Sequence, residues 1–60
     1  MPAQFEIFKD EGGQFRFRLR AANNQIILAS EAYTTKAACT NGIESVKQNA
    51  PIAGVEDLTV

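Results

Sequence analysis

The chain opens on a two-residue rhythm of apolar and polar positions. In Phe5-Glu6-Ile7-Phe8-Lys9, Phe5 and Ile7 share one face of an extended segment, and Asp10-Glu11-Gly12-Gly13 supplies the φ-positive turn that sends the chain back. Residues 14 to 21, QFRFRLRA, repeat the rhythm strictly. Successive side chains of a strand point to opposite sides of the pleat, so Phe15, Phe17, Leu19 and Ala21 share one face and Arg16, Arg18 and Arg20 the other. Ala22-Asn23-Asn24-Gln25 reads as a second turn, because asparagine tolerates the left-handed region. Gln25-Ile26-Ile27-Leu28-Ala29-Ser30 follows as a third strand, apolar on both faces. A strand of that kind predicts either a central position or a cover.

After Tyr33 the period changes from two to about 3.6. Thr34 or Thr35 can cap a helix start with its hydroxyl, and Ala38, Cys39, Gly42, Ile43, Val46 and Ala50 fall at steps of three and four. Lys36, Glu44, Lys47 and Gln48 lie outside that narrow stripe. A glycine inside a helix costs about 1 kcal/mol relative to alanine, so Gly42 predicts close approach to the sheet. Pro51 ends the helix, and Val55-Glu56-Asp57-Leu58-Thr59-Val60 reads as a short fourth strand that has to find a sheet edge. The prediction is one α+β domain over residues 1–60: a β-β-β-α-β unit with an antiparallel sheet and one helix on one face, unfinished as a monomer.

Size sharpens that expectation. A chain of 60 residues buries only roughly 60% of the surface it exposes when unfolded, and such scaffolds lean on disulfides, metals or oligomerisation. Cys39 is the single cysteine and there is no histidine, which excludes an internal bridge and a zinc site. Oligomerisation is left, with Ile26, Leu28, Val55, Leu58 and Val60 as candidate dimer-interface residues. The N-terminus runs straight into a strand pattern with no signal peptide or membrane-length apolar run, which predicts a soluble, cytoplasmic protein with no membrane partner.

A particular family emerges from the order and spacing of short blocks. Phe5-x-Ile7 with Lys9-Asp10, Phe15-Arg16-Phe17-Arg18-Leu19, the Ala22-Asn23 turn, Ile27-Leu28-x-Ser30-Glu31-x-Tyr33, Lys36, and Asn41-Gly42-Ile43-Glu44-Ser45-Val46-x-x-Asn49-Ala50 resemble the YegP-like family. These are small, functionally uncharacterised, mainly bacterial proteins, and the resemblance covers roughly residues 4 to 50. Asn24 departs from the pattern, where glycine often follows the asparagine; asparagine reaches the same backbone. The resemblance implies a β-β-β-α-β unit that occurs as tandem copies or as a dimer whose units share a sheet and exchange C-terminal strands. For this single copy it implies a homodimer with residues 55 to 60 crossing over. It implies no activity.

The net charge of -1 offers no general attraction for nucleic acid or anionic lipid, so any basic site is local. Arg16, Arg18 and Arg20, with Lys9 and Phe8 nearby, form a candidate anion or nucleic-acid surface, because single strands bind platforms that combine phosphate pairing with base stacking. The structural alternative makes the arginines the solvated face of the sheet, with Glu6 paired across the strands. Ser30, Glu31, Tyr33, Thr34, Thr35 and Lys36 crowd the strand-to-helix junction, where a helix start can hold an anion or simply be capped. Cys39 falls on the apolar stripe and reads as core. Asp10, Glu11, Glu56 and Asp57 read as solvated charges, and Gly12-Gly13 lacks the lysine and helix of a phosphate loop. No triad, metal set or cofactor fingerprint can be assembled, so the expectation is a non-catalytic interaction module without cofactor or small-molecule ligand; nucleic-acid or polyanion binding through the arginine face is the alternative.

Overall fold

The computed structural model describes residues 2–60. Three strands appear where the two-residue rhythm places them: β1 (Gln4–Lys9), β2 (Phe15–Arg20) and β3 (Ile26–Ala29). They form an antiparallel sheet in the order β1-β2-β3, with Phe5 opposite Leu19, Ile7 opposite Phe17 and Lys9 opposite Phe15. The first turn is held by Asp10, whose backbone carbonyl accepts from the Gly13 amide while its Oδ1 accepts from Gly12 and Gln14; Gly13 takes φ 80°. At the second turn Asn24 itself adopts the left-handed backbone, at φ 71°, so glycine is not required there.

Helix α1 (Lys36–Asn49) is capped by Thr35, whose hydroxyl oxygen accepts from the Ala38 amide at 3.1 Å. One turn of 3-10 helix, Ala50–Ile52, follows it, with Pro51 in a first turn that needs no proline N–H. The predicted stripe is the packed one: Cys39 and Ile43 are buried, and Val46 lies against them. Ala50, the last member of the stripe, is exposed beyond the helix end.

Among the described residues only Phe17, Cys39 and Ile43 are buried, Cys39 completely. Phe5, Phe15, Leu28, Tyr33 and Val46 surround them, with Phe5 edge-on to Phe17 and Tyr33 stacked on it at 6.2 Å between ring centroids. The helix therefore seals a small centre over β2 and leaves the flanks of the sheet open.

The single chain meets two expectations only in part. The sheet has three strands: residues 55–60 pair with nothing in the single chain, because a strand forms only against an edge and these residues reach neither of the two edges. And β3, apolar on both faces, is an edge strand that leaves Ile26 and Ile27 exposed.

Candidate functional site

The outer face of the sheet, away from the helix, carries Glu6 and Phe8 from β1 and the three arginines from β2. Glu6 lies directly opposite Arg18. Its Oε1 accepts from Arg18 Nε at 2.8 Å and from Arg20 Nε at 3.2 Å. The Arg18 hydrogen bond does most to hold the Glu6 carboxyl below the ordinary carboxylate range, helped by Gln4 and Arg20. Arg18 also lies over the Phe8 ring, 5.1 Å from its centroid. Arg20 donates to the Asn24 carbonyl, and Arg16 forks onto the Ser30 carbonyl through Nε and Nη2 at 3.1 and 2.7 Å. Every guanidinium of the predicted basic surface thus has a partner within the chain. Lys9 is not brought to this face; its Nζ sits over the Phe15 ring on the helix side, 5.2 Å from the centroid.

The polar junction works as an anchor. Ser30 accepts from the Phe17 amide through Oγ and donates to the Glu31 carbonyl, while Tyr33 and Phe15 exchange both backbone hydrogen bonds in an isolated bridge. These bonds carry the chain from β3 to the helix start and place the Tyr33 ring under Gly42.

The sequence gives little notice of a groove on the helix side at the free edge of β1. Ile7, Phe8, Lys9, Phe15 and Lys36 line a hollow of ≈ 450 Å³. Among the described residues neither Lys9 nor Lys36 enters an ion pair. Ile7 stays 38% exposed at its floor because one helix is narrower than three strands. The available signal was the triplet Phe5, Ile7, Lys9 on the inner face of an edge strand.

Of the candidate dimer-interface residues, Leu28 packs against the core, whereas Ile26, Val55, Leu58 and Val60 are exposed, Val55 almost completely at 99%. Asp57 accepts from the hydroxyl and then the amide of Thr59, bonds that hold its carboxyl below its ordinary range.

Residues 10–57 match the family model described as a domain of unknown function, DUF1508. This chain belongs to the DUF1508 family. The DUF1508 chain is 52% identical over 58 residues to a UPF0339 protein of Treponema denticola, covering 97% of this chain and 100% of that one. It is 61% identical over 51 residues to a UPF0339 protein of Stutzerimonas stutzeri and 51% identical over 47 residues to the UPF0339 protein YegP of Yersinia pestis, so the YegP-like resemblance holds. These alignments cover 85% and 78% of this chain, which spans only 46% and 42% of those two longer relatives. A solution structure of a Haloferax volcanii protein superimposes with a TM-score of 0.86 at 43% identity, covering 92% of this chain and 93% of that one; the DUF1508 fold therefore reaches the archaea. The family has no named activity.

Proposed function

We propose that this DUF1508 chain is a non-catalytic interaction module that acts as a homodimer, with residues 55–60 crossing from each copy to the other. The observation that carries this reading is the imbalance of apolar surface. Three of the described residues are buried, while Ile52, Val55, Leu58 and Val60 stand in solvent after the helix. A domain this small gains its missing stability most directly by covering such residues with a second copy. The internal pairing of Arg16, Arg18 and Arg20 supports their reading as the wetted face of the sheet, ahead of a polyanion platform.

Light scattering on the full chain tests the proposal. The expected mass is twice 6.5 kDa over a wide concentration range, falling to the single-chain value when the chain is truncated after Ile52. A full chain that stays at 6.5 kDa at high concentration would overturn it.

A further inference from the structure

Charge is not spread evenly over this chain. Arg16, Arg18 and Arg20 share the outer face with Glu6, the one carboxylate among the strand residues, for a net charge of +2. The rest of the chain holds three lysines and six carboxylates, a net charge of -3, which brings the whole to -1. The bonds within the chain grip each guanidinium by one side only. Arg18 uses Nε on Glu6, so both its terminal nitrogens are free among the described residues; Arg16 keeps Nη1 and Arg20 keeps Nη2. Arg18 is also held flat against the Phe8 ring, and Ile26, 45% exposed, stands opposite Arg20 on the same face.

We infer that the outer face of the sheet docks an extended acidic segment of another protein, with carboxylates at alternate residues on the free sides of Arg16, Arg18 and Arg20 and an apolar side chain at one end of the run against Ile26. The inference rests on the reading of this chain as an interaction module and names the chemistry of the partner. It does not rest on the homodimer, because the face lies opposite the helix and uses neither edge of the sheet. Spacing selects the occupant. The arginines recur at every second residue of a strand, about 6.8 Å apart, and an extended peptide with alternate carboxylates has the same repeat, so each fork meets one carboxylate. Because the guanidinium groups are already fixed by Glu6, Asn24, Ser30 and Phe8, the partner orders few side chains on binding. A nucleic acid fits less well: Glu6 stands inside the row, and Arg18 covers the Phe8 ring on which a base would stack.

The test uses the full-length chain and, as probe, a labelled peptide with glutamate at alternate residues, serine between them and leucine at the end, followed by fluorescence anisotropy. The expected binding weakens as salt is added. Arg16→Gln and Arg18→Gln each lower the affinity about tenfold, and a peptide of the same composition with its glutamates in one block binds more weakly than the alternating one. Glu6→Gln supplies a readout that a merely structural role would not move: it removes the carboxylate from the face and tightens binding about threefold, although it weakens the fold. Lys47→Gln, on the helix, leaves binding unchanged. The blocked peptide and Glu6→Gln decide the matter even where an arginine variant does not fold. A peptide that does not bind, or that binds equally after both arginine changes, overturns the docking face, while the mass measurement judges the homodimer separately. Binding lost on Lys9→Gln with Lys36→Gln and kept in the arginine variants moves the site to the groove beside β1 and overturns the outer face. Oligothymidylate that binds more tightly than the peptide, with the same dependence on the arginines, overturns the acidic segment as occupant.

Discussion

At the scale of single residues, Glu6 shows how a strand with three arginines keeps its charges paired. One carboxylate accepts from Arg18 and Arg20 while Arg16 turns to the Ser30 carbonyl, so no guanidinium is left without a partner on the sheet. Because the folded state lowers the Glu6 pKa, the stabilisation is fully present above the unfolded value, about 4.5, and is lost as pH falls through the lower folded value. Glu6→Gln should accordingly be less stable than the natural chain at neutral pH, and the difference should close as both are acidified through the lowered folded pKa of Glu6. Urea titrations at several pH values check this; a gap of constant size would mean that packing, and not charge, is what Glu6 contributes. The pairing was legible from the sequence, since Glu6 and the arginines fall on the same side of a hairpin. Lys9 lies close to the arginines along the hairpin, yet the alternation that puts Phe5 and Ile7 inward carries it to the helix side as well, over the Phe15 ring.

At the scale of elements, Gly42 sets how closely the helix lies on the sheet. A Cβ at this position would meet Tyr33 Cζ at 2.9 Å and Phe17 Cε2 at 3.1 Å, with the Tyr33 hydroxyl closer still. Gly42→Ala gains about 1 kcal/mol of helix propensity, yet the overpacking costs about 1–3 kcal/mol, so the net effect should be destabilising. Combining it with Tyr33→Phe, which removes the nearest atom, should recover part of the loss; a double variant no better than Gly42→Ala alone would place the clash elsewhere. The helix stripe and its glycine could be read in advance from steps of three and four. Which residue lay opposite the glycine could not, since Tyr33 reaches it only through the backbone bridge with Phe15.

At the scale of the whole molecule, the single chain is a sheet half covered. The helix closes over Phe17, and apolar side chains at Ile7, Ile26, Ile52, Val55, Leu58 and Val60 stay exposed in the single chain. Association stabilises by mass action, so the melting temperature of the full chain should rise with protein concentration, whereas that of a chain cut after Ile52 should be lower and independent of concentration. Equal, concentration-independent melting of the two would show that the terminal segment carries none of the stability. The sequence by itself determined the three strands, the capped helix, the wet and dry faces and the shortage of core, because periodicity, turn residues and chain length act locally or by sum. Only the tertiary structure decided that the apolar third strand lies at an edge, that Leu28 faces inward and that a groove opens beside β1. Those features depend on the order of strands in the sheet and on the width of one helix laid across it, and neither quantity is written in any short stretch of residues.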